Sequence, residues 1–217
     1  SATVYGKRNG KFLIKEDAEI KPMNPYGNTK ASIEIILDDL SKIEKNRWNI
    51  ISLRYFNPIG AHSSRLLGEN PIDIPNNLMP IINNVAAGII NELEIFGNDW
   101  ETHDGTGVRD YIHVMDLAEA HVVALERLLN KKSKDNYEVF NIGTGTGNSV
   151  LEVINAFESA NQKSLNYKIA ERRKGDVIAA YADTTKSKTV LGWTPKHSLQ
   201  SALKSAWEWE LALSKKE

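Results

Sequence analysis

The sequence predicts an α/β fold, with a segment that closes a doubly wound parallel sheet and continues into further strands and helices. Two observations carry that prediction. A helical pattern over residues 25–46 is followed at once by an apolar strand over 48–56, and shorter strand and helix patterns then alternate to the end of the chain. The 217 residues, 41% of them hydrophobic, are enough to bury a sizeable core.

Taken in order, Ser1 to Gly6 (SATVYG) reads as the end of a strand, and the sequence to Met23 is polar and turn-rich. Asn24 suits a helix cap and Pro25 the first helical position. Ile33, Ile36, Leu37, Leu40 and Ile43 then recur at helical spacing. Ile35 widens that stripe, so the helix is expected to contact both its own core and a second subunit, which makes a homodimer through 25–46 the expected assembly. Trp48 to Phe56 reads as a buried strand ended by Asn57-Pro58, and 61–75 reads as loop. Helices are expected near 76–88, 115–130, 149–161, 184–191 and 198–213, and strands near 93–97, 108–113, 138–142 and 165–170. A domain boundary is expected near Asn57, with later segments packing back on the first domain.

Composition excludes several functions. A net charge of −1 gives no global field for nucleic acid or an anionic membrane, so neither is expected as a partner. With no cysteine there is no disulfide, thiolate nucleophile or cysteine metal site. Without a signal-peptide pattern or an apolar run near 18 residues, a soluble cytoplasmic protein is expected. The strand-like opening at Ser1, with no initiating Met, suggests part of a larger protein.

Among possible chemical motifs, Tyr26 stands four residues before Lys30 at the start of the first helix, so both side chains lie on one face. A free phenol, with a pKa of about 10, is a poor base at neutral pH; a nearby ammonium and the positive end of a helix both favour phenolate. The spacing alone also arises by chance in a lysine-rich chain. Gly143-Thr144-Gly145-Thr146-Gly147 follows an apolar strand but lacks the third glycine of the dinucleotide fingerprint at its required place, and reads as a tight turn. His62, His103, His113, His121 and His197 form no metal-ligand spacing, and there is no GxSxG nucleophile elbow. Arg109, Arg172 and Arg173 could clamp a diphosphate through charge-assisted bonds, and Asn57, Asn76 and Asn77 could meet sugar, phosphate or a uracil edge. Each also reads as an ordinary surface arginine or asparagine turn.

Together the segments SATVYG (1–6), NPYGNTK (24–30), LRYFNPIGAH (53–62), IPNNLMP (74–80), IFGND (95–99), DGTGVRDYIHVMDLAEAH (104–121), NIGTGTGNSV (141–150) and ERRKGD (171–176) are specific. The chain resembles the C-terminal two-thirds of the UDP-glucose (UDP-galactose) 4-epimerase family of extended short-chain dehydrogenases/reductases. That resemblance implies a Rossmann-like NAD-binding remainder over 1–57 and a smaller, mainly UDP-sugar-binding α/β domain over 58–217. It implies NAD as cofactor, with Tyr26 as catalytic acid/base, Lys30 as its partner on the nicotinamide ribose, and Ser1 at the sugar 4-oxygen. Asn57, Asn77, Leu78, Phe96, Arg109, Arg173 and Asp176 match positions around the UDP-sugar. Ala180 matches a size gate, and its small side chain implies room for UDP-GlcNAc or UDP-GalNAc. The glycine-rich fingerprint falls before Ser1, so this chain alone is expected to be inactive. The resemblance extends to 4,6-dehydratases and UDP-glucuronate decarboxylases, but those carry acidic side chains where this chain has Ala2 and Thr3. A non-catalytic nucleotide-sensing module would have no use for Ser1, Tyr26 and Lys30 together.

Overall fold

The structure is a computed structural model that describes residues 1–7, 10, 12–43, 48–72 and 75–215; the expected end of the first helix at 44–46 lies outside them. A 3₁₀ turn at Ala2–Tyr5 leads to β1 (Leu13–Ile14), α1 (Pro25–Ile43), β2 (Ile50–Tyr55), β3 (Asn57–Ile59), α2 (Leu78–Ala86), β4 (Leu93–Phe96), β5 (Val108–Arg109) and β6 (Tyr111–His113). There follow α3 (Val114–Leu129), β7 (Tyr137–Ile142), β8 (Asn148–Ser149), α4 (Val150–Asn161), β9 (Tyr167–Ala170), β10 (Ala179–Ala182), a π-helical turn at Ser187–Leu191 and α5 (Leu199–Leu213).

The fold is α/β, and its strand pairs are parallel except β5 with β8. β2 runs beside β7 from Ile50↔Tyr137 to Tyr55↔Ile142. The chain then changes partner. Phe56 N–H still bonds to Ile142 O, but Asn57 N–H bonds to Asp110 O, and β3 continues beside β6. β10 lies between β1 and β5. Strands from both sides of Asn57 thus pair across it.

Three apolar clusters fill the interior. One packs α2, α4 and α5 against β4 through Ile82, Ile95, Ile154, Phe157 and Trp207. The second joins α3 to β7 through Ala120, Phe140 and Ile142. The third gathers Val4, Tyr5, Ile14, Ala31, Phe56 and Ala182.

Several sequence expectations need correction. The stretch over 1–6 is a 3₁₀ turn rather than a strand, closed by Val4 N–H to Ser1 O at 3.2 Å. Val4 and Tyr5, neighbours in sequence, are both buried, which the alternation of a half-exposed strand forbids. The isoleucines of α1 do not face the core. Ile33, Ile35, Ile36 and Ile43 are exposed, whereas Gly27, Ala31, Glu34 and Ser41 are buried. The reason is an ion pair: buried Arg54 of β2 donates to both Glu34 oxygens, with Nη2 to Oε2 at 2.5 Å, and also to Tyr5 Oη at 2.9 Å. The helix turns its polar and small residues inward to meet it. The strand expected at 108–113 divides at Asp110, and the helix expected at 184–191 ends as a π turn.

Asp110 explains the division. Its carboxylate accepts hydrogen bonds from Thr144 N–H and Oγ1, Gly145 N–H and Ala182 N–H, at 2.7 to 3.1 Å. Burial pushes this carboxyl up against the pull of those donors. The glycine-rich turn therefore spends its amides on a side chain of its own protein. Asp110→Asn would face the same donors with an amide group and leave at least one unsatisfied, so urea unfolding should show a loss of about 3 kcal/mol.

Candidate active site

A cavity of about 750 Å³ opens where the chain leaves β2 for β3. The place suits a ligand, because open parallel sheets bind at the point where strand pairing switches. Asn57, Asn77, Leu78, Phe96, Arg109, Arg173 and Asp176 all line it. Seven sequence-predicted residues from five separate stretches thus meet around one space. Asn76 lines it too.

Its two arginines lie close together. Arg173 Nη2 lies 3.1 Å from Asp176 Oδ1, and Arg109 Nη2 lies 3.9 Å from the same oxygen. Two guanidiniums thus share one carboxylate on this side of the cavity, while Glu69 and Glu94 line it elsewhere, Glu94 paired with Lys168 at 3.2 Å. Desolvation, with Arg173 adding to it, pushes the Arg109 guanidinium below its usual range. An anion placed between them would relieve that cost. Arg172 is turned away: it donates to Asp99 and stacks 4.1 Å over Trp100.

The rest of the wall is apolar and aromatic. Arg173 sits 5.2 Å over the Phe96 ring, and Trp100, Leu93 and Tyr111 complete that side. Tyr111 is buried, burial pushes its phenol up to about 12, and its hydroxyl has no hydrogen-bond partner among the described residues. Sequence reasoning missed Tyr111 and Trp100. Tyr111 was findable, since it stands two residues from Arg109 in strand sequence and so shares its face. Trp100 carried no pattern of its own.

Tyr26, Lys30 and Ser1 stand outside that lining. Lys30 Nζ lies 5.2 Å over the Tyr26 ring in the first turns of α1, and Tyr26 is exposed. Gly27 lets the helix approach the 3₁₀ turn, because a Cβ there would sit 3.0 Å from Thr3 O and 2.8 Å from Pro22. Among the described residues the Tyr26 hydroxyl, the Lys30 ammonium and the Ser1 hydroxyl have no hydrogen-bond or ion-pair partner. The Val4 cluster joins this group to the cavity, since it includes Phe56, next to Asn57, and Ala180, whose strand partner is Arg109. Ala180 packs against that cluster and is not among the cavity's lining residues.

At the opposite end, His113 caps α3 and accepts from Met115 N–H through Nδ1 at 3.0 Å. The proton is therefore on Nε2, which points to Ser205 Oγ at 3.2 Å. His197 stacks on it with centroids 4.3 Å apart and bonds to Asp116 at 2.7 Å.

These features define a class: a Rossmann-like α/β protein with a cavity lined by arginine, amide and aromatic side chains, and a tyrosine–lysine pair at the start of α1. The sequence profile of the GDP-mannose 4,6 dehydratase family matches residues 1–206. The chain belongs to that family, within the extended short-chain dehydrogenases/reductases. It is 50% identical over 210 residues to the UDP-glucose 4-epimerase of Bacillus subtilis, covering 97% of this chain and 60% of that protein. The chain thus spans about three-fifths of the length of the curated relatives it matches. The crystal structure of UDP-glucose-4-epimerase from Stenotrophomonas maltophila with bound NAD and formylated UDP-arabinopyranose superposes with a TM-score of 0.95 at 45% identity, over 100% of this chain and 63% of that one. The enzyme from Bifidobacterium longum in complex with NAD⁺ and UDP gives 0.91 at 43% identity, with the same coverages.

Burial and the neighbouring His197 push the His113 imidazole below its usual range. The unfolded chain then binds a proton near pH 6.5 that the folded chain refuses, so this contribution to stability is complete above about pH 6.5 and is lost as pH falls. His113→Asn keeps a side chain able to cap α3. Its thermal stability should fall less between pH 8 and pH 5 than that of the unaltered protein, as differential scanning calorimetry would show.

Proposed function

We propose that the full-length protein interconverts UDP-galactose and UDP-glucose by transient oxidation at sugar C4, an isomerase reaction of galactose metabolism. The observation that carries this reading is the cavity wall in which Arg109 and Arg173 share Asp176 among aromatic and amide side chains. That wall suits a diphosphate between a uracil and a sugar. The epimerase relatives, two of them with NAD in their structures, support the same substrate class.

In this reading Arg109 and Arg173 hold the diphosphate, Asp176 and Asn77 meet ribose and base, and Phe96 and Leu78 pack against them. Retention of the oxidised sugar needs a strong anchor, and charge-assisted bonds supply one. Ser1 donates to the sugar 4-oxygen. Tyr26 takes the 4-hydroxyl proton and later returns it, with Lys30 favouring the phenolate through its charge. Bound NAD would supply the oxidant for sugar C4, and the hydride taken from C4 would return to the opposite face once the 4-keto sugar had turned over between the residues named above. Tyr26 and Lys30 fit the cofactor's nicotinamide ribose, because both present polar groups without partners among the described residues. The glycine-rich turn at 143–147 does not fit its pyrophosphate, because Asp110 already takes the amides of Thr144 and Gly145. We assign 1–57 to the NAD-binding unit and 58–217 mainly to the UDP-sugar unit.

A 4,6-dehydratase or decarboxylase would need acidic groups at Ala2 and Thr3, which this chain lacks. For assembly we favour a homodimer through α1, supported by exposed Ile33, Ile36 and Ile43, with Leu125 and Leu129 exposed on α3. No described helix is long and apolar enough to cross a membrane, and the absence of cysteine agrees with action in the cytoplasm. We further propose use of UDP-GlcNAc and UDP-GalNAc, resting on the resemblance that matches small Ala180 to a size gate, although Ala180 packs on the Val4 cluster and is not in the cavity lining.

With full-length protein and UDP-galactose, anomeric proton NMR should show UDP-glucose forming without net NADH. Failure of folded, NAD-loaded protein to convert it would overturn the reading. Tyr26→Phe should lower turnover by about 10²–10⁴-fold with UDP affinity retained. Arg109→Ala should weaken UDP binding about tenfold to a hundredfold by calorimetry, the worth of one charge-assisted contact. Ala180→Tyr should depress the N-acetyl activity relative to the plain one; an unchanged ratio would remove Ala180 from the specificity.

A further inference from the structure

The outer wall of the cavity is a loop whose position is not set by its own packing. Gly60, His62, Leu67, Gly68 and Glu69 line the cavity, yet the loop has no regular structure. Its large apolar residues, Leu66 and Leu67, are 66% and 67% exposed, so burial of those side chains does not hold it in place. Inside the loop the backbone closes only on itself, with His62 N–H to Leu67 O at 3.1 Å and Arg65 N–H to His62 O at 3.0 Å.

Most of its anchors come from one face of α5, with one further bond from Asn77 Nδ2 to Glu69 Oε1 at 3.2 Å. Ser205 Oγ accepts from Ala61 N–H at 3.1 Å where the loop begins. One turn on, Glu208 pairs with Arg65 at 3.2 Å, and buried Trp209 donates its indole Nε1–H to Glu69 O at 2.9 Å where the loop ends. Residues 205, 208 and 209 share a helix face by their spacing. The contact at Trp209 is unusually close. A Cβ on Gly68 would lie 2.3 Å from the indole, so the Gly68 backbone rests directly on the ring and only glycine fits. On its other side α5 is fixed in the main core through Leu203, Ala206 and Trp207. The loop is thus referenced to a rigid helix more than a hundred residues away in sequence.

We propose that Trp209 is a positioning residue for UDP-sugar binding: through its hydrogen bond to Glu69 and its contact with Gly68 it sets the distance of the loop wall from the opposite wall. This rests on the reading of the cavity as the UDP-sugar site. Trp209 does not itself line the cavity, so its influence falls on binding and not on the transfer steps at Tyr26.

The test compares variants of the full-length, NAD-loaded protein. Trp209→Phe keeps a ring beneath Gly68 and removes only the N–H donor. It should raise KM for UDP-galactose and Kd for UDP about fivefold each, and leave kcat within twofold. Gly68→Ala should raise both about tenfold in the unaltered background and less than twofold in a Trp209→Leu background, because the clash then has no partner. Hydrogen exchange at residues 61–69 should quicken in Trp209→Phe while the amides of α5 keep their protection. If the unaltered protein binds no UDP, the underlying reading of the cavity fails, and this proposal with it. If it binds UDP but folded Trp209→Phe keeps the unaltered KM and Kd, or loses kcat at constant KM, the positioning role alone is overturned. Additive effects of Gly68→Ala and Trp209→Leu would likewise overturn it.

Discussion

Everything near the cavity depends on where one carboxylate is buried. Asp110 lies between Arg109 and Tyr111, and its side chain points away from the cavity that both neighbours line. Its oxygens bind the turn after β7 and the end of β10, while its backbone carbonyl receives Asn57 N–H. A single residue therefore ties together β3, β6, β7 and β10 at the point where strand pairing changes. Burying a carboxylate is costly unless donors surround it, and here backbone amides with fixed directions supply them. The arrangement is rigid for that reason. A shift of β10 would break the bond at Ala182 and also move Asp176 and Arg173, which precede it in the chain.

Charge is handled in two opposite ways. Inside the fold, cations are matched. Arg54 is paired with Glu34, and Arg127 with Glu138 at 2.7 Å, each with further hydrogen bonds to neighbouring groups. Such buried pairs specify geometry more than they add net stability, because desolvation offsets the attraction. At the cavity the matching stops. Arg109 is mostly buried and lies 3.9 Å from an oxygen that Arg173 already occupies. Arg109 keeps one bond to its own strand, from Nη1 to Val108 O at 2.9 Å. Its second terminal nitrogen faces a shared carboxylate rather than one of its own, the arrangement on which the proposed diphosphate contact rests.

Much of this was legible in the sequence, for identifiable reasons. Long periodic elements such as α3 and α5 announce themselves, because burial on one side imposes a 3.6-residue period over several turns. Residues of the cavity that sit in specific strings, such as Arg109 in VRDYIH and Asn57 in YFNPIGAH, could be read as a set. Short strands could not. β1, β5 and β8 are two residues each, too brief for any period, and exist only because distant partners supply their bonds. The opening turn was misread because Thr3, Val4 and Tyr5 have strand propensity, and tertiary burial of two successive residues overrode it. The role of Glu34 was hidden for a different reason. A glutamate in a helix is ordinarily a surface residue, and only the position of Arg54 in space makes it an interior one.

Helix α1 shows how a buried ion pair can aim exposed groups. Tyr26, Gly27, Lys30, Ala31 and Glu34 fall along one stripe of the helix, at spacings of three, four and seven or eight residues. At its inner end Glu34 is locked to Arg54 by bonds to both oxygens, and Gly27 and Ala31 seat the helix against the 3₁₀ turn and the Val4 cluster. A helix turns 100° per residue, so fixing Glu34 fixes the direction in which Lys30 and Tyr26 leave the same side. The outward isoleucines take no part in that lock. A partner could therefore cover the isoleucine face without disturbing the tyrosine and lysine, whose orientation is already decided from within.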